Sequence, residues 1–110
     1  MDVIKLVIPS NPQYVTTLRL TTSSIAQIMG FDIESIDDLK VCVSEAVNDL
    51  FSNNEALEIC FKPEEDKITI VINATMIEET DGGLHRMILE SLLDKVEYKE
   101  NSLLLVKNKQ

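Results

Sequence analysis

Glu45 and Asp49 stand one helical turn apart in the run Leu39-Lys-Val-Cys-Val-Ser-Glu-Ala-Val-Asn-Asp-Leu-Phe51. Carboxylates are hard oxygen donors, so the pair suits a cation or another electropositive group. Like charges at this spacing cost an isolated helix roughly 0.2–0.5 kcal/mol. The pair therefore either points into water or faces something electropositive. His85 and Arg86 follow Gly82-Gly83 at the start of another helical run. Exposed amide groups there make a potential anion site that both side chains would strengthen, against the plainer reading of a solvated first turn. Cys42 lies beside the apolar stripe of its helix, which favours an inert thiol over a redox sensor. Cys42 and Cys60 form no metal-ligand spacing. Nothing in the sequence supports a disulfide between them, so free buried thiols are the reading.

The elements that must position these residues follow from periodicity. Met1 to Ile8 alternates as a strand, and Pro9-Ser-Asn-Pro12 breaks it. From about Gln13 to Met29, Val15, Leu18, Ile25, Ile28 and Met29 recur at helical spacing, and Gly30 suits the left-handed end of that helix. Its many Thr and Ser residues lower its propensity, so packing must hold it. The second helix starts near Phe31-Asp32, capped by Ser35 with Asp38 or by Asp32 itself, and runs to about Phe51. Ile36, Leu39, Val43, Ala46, Val47 and Leu50 fall on its buried face, with Asp38, Val41, Cys42, Glu45 and Asp49 on the adjacent one.

Ala56 to Phe61 and Lys67 to Asn73 read as a hairpin around Lys62-Pro-Glu-Glu-Asp66. The second of these strands is nearly all β-branched at Ile68 to Ile72 and belongs in the middle of its sheet. Ala74 to Asp81 is a short connector, and Gly82-Gly83 opens a third helix with Leu84, Met87, Ile88, Ser91, Leu92 and Val96 expected inward. Two short strands, about 96–98 and 102–106, close the chain. The order β-α-α-β-β-α-β-β predicts an α+β two-layer sandwich, with helices on one face of a mixed, mostly antiparallel sheet.

At 110 residues the chain is one domain, 1–110, and its apolar content of 45% fits a globular fold. A net charge of −9 argues against nucleic acid or an anionic membrane as direct ligand and favours a basic protein partner or simple solubility. No run approaches the roughly 20 apolar residues that span a bilayer, and no leader pattern is read at the start, so a cytoplasmic protein is expected. Neither an internal repeat nor a low-complexity tract is present.

The same order, with a helix reading Asp-Leu-Lys-x-x-Val-Ser-Glu-Ala, resembles the anti-sigma factor serine kinases of bacteria, members of the GHKL (histidine kinase-like, Bergerat-type) ATPases. The resemblance covers almost the whole chain. Ile8-Pro-Ser-Asn-Pro-Gln-Tyr14 looks like the lead-in to the family's first helix, and Met29-Gly30-Phe31 like its helix break. Asp38 to Val47 looks like the start of the nucleotide helix, and Gly82-Gly83-Leu84 with Ile88 to Val96 like the helix under the triphosphate. The resemblance implies ATP and magnesium as cofactors, with Glu45 as general base at the family's Glu-x-x-x-Asn. Asp49 then holds the metal, and Asn73, Gly82 and Gly83 contact the nucleotide.

Several positions depart from the family. Asp49 replaces the Asn, and the neighbouring Asn48 is turned away by ~100°. The adenine-binding Asp-x-Gly is matched by Asn73-Ala-Thr75, where a β-branched Thr fills the space a glycine leaves. The lid shrinks to about residues 74–81, and His85 stands where the last lid glycine would be, so the connector is too short to close over a nucleotide. Two function classes follow. One is a non-catalytic regulatory protein with ATP binding lost or weak, acting on a sigma factor or an anti-sigma antagonist, with homodimers implied by the resemblance. The other is an active serine kinase that phosphorylates an antagonist protein. A third reading is a small-anion sensor near Gly83.

Overall fold

A computed structural model of the chain describes residues 2–75 and 83–109. The elements in order are β1 (Ile4–Pro9), α1 (Val15–Met29), α2 (Ile33–Asn48), β2 (Ala56–Pro63), β3 (Lys67–Asn73), α3 (Leu84–Leu92), β4 (Lys95–Tyr98) and β5 (Ser102–Asn108). Single 3-10 turns at Pro12–Tyr14 and Phe51–Asn53 precede α1 and follow α2. The order is the one the sequence predicts, and the fold is the expected α+β sandwich.

The five strands form one sheet in the order β1-β2-β3-β5-β4, so β3 is central as its β-branched content requires. One expectation is corrected: the sheet is not mixed. All four neighbouring pairs are antiparallel. The reason lies in the connections. Each helix carries the chain back along the sheet, so the two helices between β1 and β2 return it to the end where β1 stopped. A single crossover helix would have allowed parallel pairing.

Alternation separates the two faces. Ile68, Ile70 and Ile72 of β3 are buried, as are Leu57, Ile59 and Phe61 of β2 and Leu103 and Leu105 of β5. Thr69, Val71 and Asn73, on the opposite face of β3, are half-buried. The buried face joins Leu18, Ile25 and Ala26 of α1 and Leu39, Val43 and Val47 of α2 in one core. Within the helical layer α2 packs against both α1 and α3. Every residue expected on the inward face of α2, from Ile36 to Leu50, is buried.

Helix ends obey local chemistry. Gly30 takes φ 86° and its amide donates to the Ala26 and Gln27 carbonyls, closing α1 in the left-handed conformation. Thr21 and Thr22 donate their hydroxyls back to the Thr17 and Leu18 carbonyls, which satisfies polar groups on a helix of poor intrinsic propensity. Of the two caps open for α2, Asp32 is the one used: its Oδ1 accepts from the Ser35 amide at 2.7 Å. The regular part of α2 stops at Asn48, before the expected Phe51, and Asp49 adopts the cap position. Asn54 donates its amide to the Leu50 carbonyl at 2.8 Å, which turns the chain there.

The inward face of α3 also differs from expectation. Leu84 and Met87 are 55% and 68% exposed and Ser91 is exposed, whereas Leu89 is fully buried and His85, Ile88 and Leu92 are partly covered. The helix is rotated so that His85, not its apolar neighbours, faces α2.

Two outcomes test this architecture. Replacing Ile70, which is 1% exposed, by Ala should cost about 3 kcal/mol in urea unfolding, against under about 1 kcal/mol for Thr69→Ala on the open face. The Asp32 carboxyl is held below its ordinary value of 3.8, chiefly by the Ser35 amide. The stability it lends is therefore complete above that value and is lost as pH falls through the lowered one. An Asp32→Ala protein should be the less stable at neutral pH, with the gap to the parent narrowing once the pH drops well below 3.8.

Candidate functional site

The carboxyl-terminal half of α2 and the first turn of α3 meet at one end of the sandwich. Glu45 and Asp49 point from α2 toward α3, one turn apart as the helical period requires. His85 comes from α3, immediately after Gly83, which takes φ 86° at the helix start. The imidazole lies between the two acids: Nδ1 is 2.5 Å from Glu45 Oε2 and Nε2 is 3.3 Å from Asp49 Oδ1. The cluster is partly enclosed, with side-chain exposures of 28% for Glu45, 11% for Asp49 and 23% for His85. The group that faces the acidic pair is thus supplied by the chain itself.

Arg86 turns away from this pair. Its Nε donates to Glu90 Oε1 at 2.7 Å, and its guanidinium lies 5.0 Å from the Tyr98 ring centroid. The anion site suggested behind the glycines therefore has its imidazole facing carboxylates. Asn48 is exposed, on a different side of α2 from Glu45. Gly82 lies outside the described residues, as does most of the connector between β3 and α3.

Asn73 is not brought to the same place. It pairs in register with Glu58 of β2 and Ser102 of β5, on the face of the sheet away from the helices. Its Nδ2 donates to Glu58 Oε1 at 2.9 Å. That hydrogen bond, with a weaker one from Cys60, holds the Glu58 carboxyl below its usual range. The next residue, Ala74, is buried and is the last at the strand end with the parity of Ile68, Ile70 and Ile72. Thr75 is exposed, and its amide donates to Asn54 Oδ1 at 2.6 Å.

Two clefts are found elsewhere. One of about 600 Å³ lies at the strand ends beside Glu58, Asn73 and Asn101. Another of about 280 Å³ lies between β1 and the end of α1, beside Ile4, Ile25 and Ile28. Neither is lined by Glu45, Asp49 or His85.

Sequence reasoning missed Lys107. Its ammonium donates to the Leu92 carbonyl at 2.9 Å and sits 3.7 Å from Asp38 Oδ2, tying the end of α3 and the start of α2 to β5. It shares the parity of Leu103 and Leu105, and that parity was the available signal that a lysine would be covered. Cys42 is fully buried near this lysine, and burial pushes its thiol up to about 12.

A magnesium–nucleotide complex is tested against these residues. Magnesium takes oxygen ligands in near-octahedral geometry at roughly 2.1 Å. One oxygen from each acid is engaged by His85, and the ring fills the space where a shared ion would bridge them. Among the described residues no group of three His, Cys, Asp or Glu side chains is arranged to hold a metal. As arranged, Glu45, Asp49 and His85 do not fit a magnesium ion shared by the two acids.

No protein-family model matches the chain. Curated proteins do. The serine-protein kinase RsbW of Oceanobacillus iheyensis is 47% identical over 77 residues, which span 64% of this chain and 49% of that protein. The protein of the same name from Staphylococcus epidermidis is 30% identical over 131 residues, spanning 93% and 82%. That of Bacillus subtilis is 27% identical over 128 residues, spanning 92% and 80%. The chain thus covers about half of the first relative and about four fifths of the others. A match over 131 residues against a chain of 110 sets at least 21 positions of the Staphylococcus epidermidis protein opposite gaps.

The two thiols give a direct check on the site's packing. Cys42 is fully covered, and Cys60 is 6% exposed with its thiol also pushed up by burial. A colourless-to-yellow disulfide reagent at pH 8 should leave both unreacted in the folded protein. It should titrate both of the chain's 2 cysteines after unfolding.

Proposed function

We propose, for a chain that belongs to the RsbW family of anti-sigma factor serine kinases and shares their GHKL-type fold, a regulatory protein that acts by protein–protein binding with ATP binding lost or weak. The observation that carries this reading is the register at the end of β3. A residue that reads adenine beside α2 must face the helical layer. Asn73 faces the other way and gives its amide to Glu58. The residue with the helix-facing parity is Ala74, which has no side-chain polar atom. An adenine amino group entering there would lose its hydrogen bonds to water without a side-chain replacement, which costs about 1–3 kcal/mol.

One further fact supports the reading. The described acids Glu45 and Asp49 face a histidine. The partners proposed are a sigma factor or an anti-sigma antagonist, in the cytoplasm, with a net charge of −9 favouring a basic surface on the partner. A homodimer belongs to the same proposal by kinship. No helix among the described residues is long and apolar enough to cross a membrane.

A second reading has one observation in its favour: the relatives are named as serine-protein kinases. In it Glu45 is the base, Asp49 the magnesium ligand, and Asn73, Gly82 and Gly83 contact the nucleotide. Calorimetry with ATP and magnesium separates the two. The regulatory reading expects a dissociation constant weaker than about 1 mM, and unaltered affinity for the sigma factor when nucleotide is added. Micromolar ATP binding would sink it in favour of the kinase.

A further inference from the structure

Two carboxylates one turn apart on a helix repel each other, and a buried or half-buried pair needs a compensating charge. At Glu45 and Asp49 the compensating group comes from 36 to 40 residues further along the chain, on a different helix. His85 reaches both acids with opposite edges of one ring, at 2.5 and 3.3 Å. Because Nδ1 and Nε2 point in different directions, the histidine and the two acids cannot converge as three ligands on one ion. The ring separates the oxygens that a shared cation would draw together.

We propose that the His85 side chain takes the place of a divalent cation between Glu45 and Asp49, so that α3 is fastened to α2 without metal or nucleotide. The proposal deepens the regulatory reading by naming what closes its ancestral site, and its test contains no nucleotide. A cation and the docked imidazole compete for the same two carboxylates. Any ion must first expel His85, and with it the first turn of α3. The competition also explains the rotation of that helix. A helix that buried its apolar Leu84 and Met87 would carry His85 away from the acids. The observed one buries Leu89, keeps His85 on α2 and leaves Leu84 and Met87 at 55% and 68% exposure. The contacts of His85 with both acids and the burial of Leu89 one turn later act in the same direction.

Manganese is the probe, because it prefers oxygen ligands and its binding is read directly from its electron paramagnetic resonance signal. Free and bound ion are to be measured without nucleotide for the parent, His85→Ala and His85→Gln. Folding of each is checked by its circular dichroism spectrum and urea midpoint. The expected result is a gain in manganese affinity of about tenfold or more for His85→Ala, with a smaller gain for His85→Gln, which keeps bulk and one donor but no charge. Adding Asp49→Asn to His85→Ala should remove the gain. A second measurement reads the clamp in the parent background: removing His85 should shift the urea midpoint much less when Glu45→Gln and Asp49→Asn are already present. Equal manganese affinity in all three proteins overturns the proposal, whether they bind it well or not at all. So does a urea shift from losing His85 that is undiminished in the Glu45→Gln, Asp49→Asn background. Should His85→Ala not fold, the His85→Gln comparison decides alone. Weak ATP binding with no manganese gain would leave the regulatory reading standing and this one refuted.

Discussion

The helical layer covers only one face of the five-stranded antiparallel sheet, and α2 lies within that layer against both α1 and α3. This one-sided burial is the constraint on which the remainder depends. With a side-chain period of two in the strands, each residue is committed to the core or to the open face, and a slip of one would exchange them all. With a period of 3.6 in α2, burying Leu39, Val43, Val47 and Leu50 leaves Glu45 and Asp49 on the flank that meets α3. The acids are therefore not placed by their own preferences. Burial of their apolar neighbours directs them toward α3, where both meet the His85 imidazole.

His85 comes from a helix of nine residues, too short to be stable alone. It is held by burial of Leu89, by the imidazole between the acids at one end and by the Lys107 ammonium on the Leu92 carbonyl at the other. Cationic charge near the last carbonyls of a helix is favourable for the same dipole reason that carboxylates suit its start, as Asp32 does at the start of α2. Both ends of α3 are thus tied by polar contacts to elements distant in sequence.

The regular elements were legible in the sequence because each rested on periodicity and local chemistry. The apolar stripe of α2 predicted its buried residues, Gly30 predicted the end of α1, and the β-branched run Ile68–Ile72 predicted the central strand. Asp32 was one of two caps that local spacing allowed, and only the actual start of the helix chose between them. The mixed sheet was misjudged because pairing direction depends on how many times the chain traverses the layer. No single strand carries that information.

The site was legible in its ingredients but not in its assembly. Residue types and spacing established that Glu45 and Asp49 share a helix flank and repel each other one turn apart, which leaves them either to water or to an electropositive neighbour. The motifs also resemble those of a family, and that resemblance marks the positions at which this chain departs from it. Which side chain meets the two acids was decided by tertiary structure alone, through the orientation of α3 that brings His85 to α2 in preference to Leu84 and Met87. The face on which Asn73 lies was decided the same way, by the register of β3 between β2 and β5. Both outcomes depend on contacts between elements far apart in sequence, where the gain from pairing charge or burying a face outweighs any preference of the local segment.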